Sequence, residues 1–84
     1  MNKCEIEDKL KEFIVETFLF GQDSGLKSSD SLLKKGIVDS TGVIELIDFI
    51  ERTFQIKVED EEILPENLDS IDHAASYILG KQNR

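Results

Sequence analysis

The 84-residue chain is predicted to be all-α: a small antiparallel bundle of three main helices and one short helix, with a long first loop. Three observations carry that prediction. Apolar residues recur at helical spacing in three separate stretches. The only alternating run, Phe54-Gln55-Ile56-Lys57-Val58, has no second strand to pair with and reads as an extended connection. No repeat, low-complexity segment or linker divides the chain, so residues 1–84 read as one domain.

The first helix is expected over about residues 4–19, where Ile6, Leu10, Phe13, Ile14 and Phe18 share a face and acids fall largely between them. Gly21 stops it. Residues 21–39 read as a long connection, glycine- and serine-rich, in which Leu26, Leu32, Leu33, Ile37 and Val38 are apolar anchors to a core. The second helix is expected over about 40–54, with Val43, Leu46, Ile47, Ile50 and Phe54 in one stripe and Glu45, Asp48 and Glu51 on another face. Ile44 projects into that acidic face, where core burial is not expected. A short helix over about 59–64 is closed by Pro65, which disfavours helix at the residue before it. The last helix, over about 69–79, takes Asp69 as its cap and buries Ile71, Ala74, Ala75, Ile78 and Leu79, with Gly80 ending it.

Size and charge narrow the function. A chain this short supports a core but leaves little room for a separate catalytic cleft. The lone Cys4 excludes an intramolecular disulfide and suits a reducing compartment. No stretch approaches the ~20 apolar residues of a membrane span, and the acidic N-terminus is unlike a signal peptide, so a soluble, cytoplasmic protein is expected. The net charge is −8, and between Asp39 and Asp72 there are eleven acids against two bases, Arg52 and Lys57. Such a field repels nucleic acid and anionic membranes and steers basic protein partners to that half of the chain.

Catalysis is hard to assemble. The only histidine, His73, falls in the last helix beside Asp72, and Ser40 lacks the G-x-S-x-G context of a hydrolase nucleophile. Metal ligands are not clustered, and Glu59-Asp60-Glu61-Glu62 lacks the glycine and spacing of a calcium loop. Periodicity alone makes Ser40 a helix-start residue, with Asp39 sharing the capping. A hydroxyl there, just after a loop, is open to another enzyme, and a phosphate on it would sit at the positive end of the helix dipole.

The run LLKKGIVDSTGVIELIDFIERTFQIKVEDEEI, followed by NLDSIDHAASYIL, resembles the acyl carrier and peptidyl carrier proteins, most strongly over residues 32–79. The matching features are a leucine pair and glycine before Asp39-Ser40, Glu45-Leu46 five residues on, the Glu51, Phe54, Ile56, Val58 spacing, the acidic turn and Tyr77-Ile78. The resemblance implies a non-enzymatic carrier in which Ser40 accepts 4′-phosphopantetheine from coenzyme A, with Asp39 as the neighbouring acid of the motif. A phosphopantetheinyl transferase would attach the arm, and its thiol would hold an acyl or aminoacyl group as a thioester. A loading ligase and downstream biosynthetic enzymes would dock through basic surfaces on Thr41, Ile44, Glu45, Asp48 and Glu51. A monomer is expected.

Three residues depart from the family pattern. Thr41 replaces a leucine that often touches partners, Gly42 stands where an acid is frequent, and Asp48 stands where fatty-acid carriers place an apolar contact. The DSTG form is more similar to stand-alone specialised carriers, including those for amino acids, than to housekeeping fatty-acid carriers. The alternative kept open is an unmodified adaptor of the same fold that binds a basic partner.

Overall fold

The elements run α1 (Lys3–Phe18), α2 (Ser40–Phe54), a 3₁₀ turn (Asp60–Glu62), α3 (Pro65–Leu68) and α4 (Ile71–Gln82), with no strand among the described residues. The computed structural model describes residues 2–21 and 25–82; positions 22–24 of the expected first loop, position 1 and positions 83–84 lie outside the described residues. The chain is thus an all-helical bundle, as its periodicity predicts.

The N-terminus of α1 is capped by Asn2, whose side-chain oxygen accepts from the Glu5 N–H at 2.9 Å. Ile6, Leu10 and Ile14, spaced four apart, are buried on one face. They meet α4, where Ala74 and Ala75 keep that helix slim between Ile71 and Ile78. The helix α2 adds Leu46, Ile50 and Phe54 to the same core. One ring pair joins α1 to α2, Phe13 stacked on Phe49 with centroids 4.1 Å apart, and within α1 Phe18 meets Phe13 edge-on at 5.9 Å. Each such pair stabilises by about 1 kcal/mol beyond its buried area.

In the long connection Leu26, Leu32 and Val38 are buried, Ile37 is half-buried and Leu33 is exposed. The loop is therefore fastened at three of the five expected anchors. The last of them, Val38, lies two residues before Ser40.

Three boundaries differ from expectation. The acidic segment forms only the turn Asp60–Glu62, and a separate single-turn helix, α3, begins at Pro65. Proline blocks helix at Leu64 but is well suited to a first helical position, so it opens one element as well as closing another. The cap of α4 is Ser70 and not Asp69: the Ser70 hydroxyl accepts from the His73 N–H at 3.0 Å, and its carbonyl from Ala74 at 2.9 Å. Finally, α4 continues through Gly80 to Gln82. A glycine inside a helix costs about 1 kcal/mol, which packing against α1 offsets.

Candidate functional site

The site is built where the first loop becomes α2. Asp39 has extended backbone (φ −102°, ψ −173°), and its carboxylate accepts from the Gly42 N–H at 2.7 Å. Its carbonyl accepts from the Val43 N–H at 2.9 Å. Asp39 is thus the cap, and Ser40 is the first helical residue, with its side chain exposed. Capping is expected to be shared between the two; the geometry gives it to Asp39.

Gly42 is buried beneath this turn. A Cβ placed on it would lie 2.9 Å from Phe18 Cε1, 3.3 Å from Asp39 Oδ1 and 3.3 Å from Val38 Cγ1. A close approach of α1's last residue to α2's first turn therefore requires glycine here. The departure at position 42 has a packing cause.

Beside Ser40 lies a cavity of about 300 Å³. Its lining comes from Leu32, Leu33 and Val38 of the loop, Val43 of α2, Ile63 and Leu64 before α3, and Leu68 of α3. Leu33, Ile63 and Leu64 are exposed, giving the mouth an apolar rim, and Ser40 and Asp69 are the two polar residues of the lining.

The exposed residues Ser40, Ile44 and Asp48 follow one another at four-residue spacing along α2, and Thr41 and Glu45 form the adjoining row. Ile44 is 68% exposed, as expected of a residue outside the core stripe. Asp48 is not a free acid: it pairs with Arg52 at 2.6 Å, both side chains being well exposed. Glu51 is half-buried, and its carboxylate accepts from the Val58 N–H at 2.9 Å. Among the described residues, Glu45 is the one acid of α2 that is exposed and makes neither an ion pair nor a bond to backbone.

A second acid outside the expected set shapes the site. Glu62 accepts from the Lys81 ammonium at 2.8 Å, from Tyr77 Oη–H at 3.0 Å and from its capped neighbour Glu59 N–H at 3.1 Å. The lysine first, then the Glu59 N–H, then the tyrosine hold its carboxyl down to a pKa of about 2, against the opposing effect of burial. Its carbonyl also accepts from Asn67 Nδ2 at 3.0 Å. Glu62 thereby fixes Ile63 and Leu64, on the rim of the cavity, to α3 and α4.

His73 is exposed in the first turn of α4. Among the described residues no group of three or more His, Cys, Asp or Glu side chains could hold a metal ion, and no helix is long and apolar enough to cross a membrane.

No family model matches the chain. Over 73 residues it is 30% identical to "Probable acyl carrier protein PigG" of Serratia sp., the match covering 87% of this chain and 84% of that protein. It is 38% identical over 55 residues to the "D-alanyl carrier protein" of Streptococcus pyogenes serotype M1, covering 63% of this chain and 70% of the relative. Among solved structures it resembles a chain of a "Crystal structure of FAD-dependent dehydrogenase", with a TM-score of 0.74 and 29% identity over 82% of this chain and 97% of that one. An all-helical bundle with an exposed serine at the start of α2 and a match of this extent to a carrier place the protein: the chain belongs to the acyl carrier protein family and acts as a carrier, not as an enzyme.

Proposed function

We propose that the protein carries an acyl or aminoacyl group as a thioester on 4′-phosphopantetheine attached to Ser40, and delivers it to the cytoplasmic enzymes of a specialised biosynthetic route. The observation that carries this reading is the exposed Ser40 hydroxyl on the first residue of α2, freed from capping by Asp39 and set beside an apolar cavity of about 300 Å³. These residues fit the arm. An anionic phosphodiester on Ser40 Oγ would lie at the positive end of a 15-residue helix, and the apolar cavity adjoins the path of its chain.

Attachment belongs to a separate transferase. Ser40 Oγ forms the new bond to the phosphorus that carries pantetheine in coenzyme A, the bond from that phosphorus to adenosine 3′,5′-bisphosphate breaks, and the hydroxyl proton passes to the transferase. The chain's own part is to hold Ser40 accessible and in register, which needs no activating histidine at the site. When bound, the arm supplies a thiol that activates a carboxyl group for transfer.

An amino acid is the favoured cargo. The D-alanyl carriers, named for an aminoacyl group, are among the relatives. Polar Thr41 and the Asp48–Arg52 pair stand on the face where fatty-acid carriers are apolar. The likeness to a chain in a structure described as a FAD-dependent dehydrogenase supports an oxidising flavoenzyme among the downstream partners. That matched chain is shorter than this one, too small for a dinucleotide-binding fold of its own.

The test is to isolate the protein from its native cells and weigh it intact, before and after hydroxylamine. An arm on Ser40 carrying an aminoacyl mass that hydroxylamine removes supports the reading. An unmodified Ser40, with biological activity surviving Ser40→Ala but lost on Glu45→Lys, replaces it with the adaptor.

A further inference from the structure

We propose that Asp69 is the positioning residue of the Ser40 site: a latch that ties the first loop to the α3–α4 junction and thereby sets the register in which Ser40 is presented. The proposal rests on the reading of Ser40 as the attachment residue.

Asp69 and Ser70 both have cap-type side chains, and α4 has room for one cap. Ser70 takes it. The Asp69 carboxylate turns instead to the loop, where Oδ2 accepts from Ser31 Oγ–H at 2.7 Å and Oδ1 from the Leu33 N–H at 3.1 Å. Its backbone carbonyl accepts from the Leu32 N–H at 2.7 Å. Three consecutive loop residues are thus bound by one residue more than thirty positions away.

The connection continues to the site. Ser31 Oγ also accepts from the Lys34 N–H at 3.1 Å, which sets the turn over residues 31–36. The Leu32 carbonyl then accepts from Ile37 at 3.0 Å and from Val38 at 3.3 Å. Val38 leads directly into Asp39 and Ser40. Asp69 also lines the same cavity as Ser40, Leu32 and Leu33, so the latch closes the wall that the arm would pass. Hydrogen bonds to a carboxylate are among the stronger ones, and losing them frees the loop between its buried anchors.

The experiment compares wild type, Asp69→Ala, Asp69→Asn and Ser70→Ala. It measures steady-state modification by a promiscuous phosphopantetheinyl transferase with coenzyme A, and amide hydrogen exchange by NMR. Asp69→Ala is expected to lower kcat for modification about tenfold, as misplacement of a reacting group does, with KM for the carrier within about twofold. Asp69→Asn keeps an acceptor for Leu33 and is expected to recover most of the rate. Ser70→Ala weakens the adjacent helix cap without touching the loop, and is expected to keep the wild-type rate. Exchange at Leu33, Ile37 and Val38 should quicken in Asp69→Ala alone. Equal rates in Asp69→Ala and Ser70→Ala, whether both normal or both reduced, overturn the latch. If wild type itself is not modified, the attachment reading fails, and the exchange comparison alone decides: unchanged Ile37 and Val38 in Asp69→Ala overturn the latch, and quickened ones support it.

Discussion

The edge of the Phe18 ring rests on Gly42 so closely that a methyl group there would come within 2.9 Å of Phe18 Cε1. The end of α1 is thus seated on the first turn of α2, two residues from Ser40. Alanine normally favours a helix over glycine by up to about 1 kcal/mol. Here the ring is held by Phe13, and Asp39 and Val38 crowd the same point. Gly42→Ala is therefore expected to destabilise the protein by about 1 kcal/mol in urea denaturation. Adding Phe18→Leu should cancel much of that loss; a Gly42→Ala protein more stable than wild type would show that the contact has slack.

Asp39 makes the cap bond to Gly42. Asp39→Ala is expected to cost about 1 kcal/mol, and Asp39→Asn a fraction of that, since asparagine caps as well. Chemical denaturation of the two variants side by side checks the difference. Equal loss in both would assign Asp39's contribution to its charge and not to capping.

The acids of α2 should separate into two kinds. Glu51→Ala removes the acceptor for the Val58 N–H, and should lower stability by about 1–2 kcal/mol. Glu45→Lys should leave stability within about 0.5 kcal/mol, because an exposed side chain away from such bonds contributes little. Its cost should appear in kcat/KM with a basic transferase, and should shrink at high salt. Reversal of the two effects would move docking from Glu45 to Glu51.

Glu62 sets an acid limit on the fold. Its folded pKa of about 2 lies below the ordinary value of 4.5, so it contributes stability above pH 4.5 that is lost as pH falls through 2. Asp30 and Asp72 are also lowered, the first chiefly by the Lys27 N–H and the second chiefly by Lys3, so they add to the same acid loss. Glu62→Gln is expected to be less stable at pH 7 and to lose less between pH 4.5 and 2. Urea midpoints across that range test it; parallel curves for the two proteins would remove Glu62 from the account.

The helices were legible because their apolar faces repeat: Ile6, Leu10 and Ile14, or Leu46, Ile50 and Phe54, follow one side of a helix and are buried as a group. The position of Ser40 after Asp39 was legible too, since a cap and a helix start are local chemistry. The α3 turn was not, because Pro65 reads as a stop to the residue before it and as a start only once Asn67 and Leu68 are seen bonded to the Leu64 carbonyl. Asp69 reads as the cap of α4 on local chemistry, yet its carboxylate binds the first loop instead. The choice is made by Ser31 and Leu33, which lie far away in the chain. The cavity beside Ser40 likewise joins the loop, α2 and the segment before α3, and no local pattern announces it. Gly42 departs from the family pattern in sequence, but its reason, the Phe18 ring, is visible only in three dimensions.

If Ser40 is the attachment point of a phosphopantetheine arm, a transferase modifies the chain there and nowhere else. Incubating the apo-protein with coenzyme A and a promiscuous transferase, then weighing it intact, tests this most directly. Wild type is expected to gain one phosphopantetheine increment and Ser40→Ala none. No increment on wild type, or an increment that survives Ser40→Ala, would contradict the account.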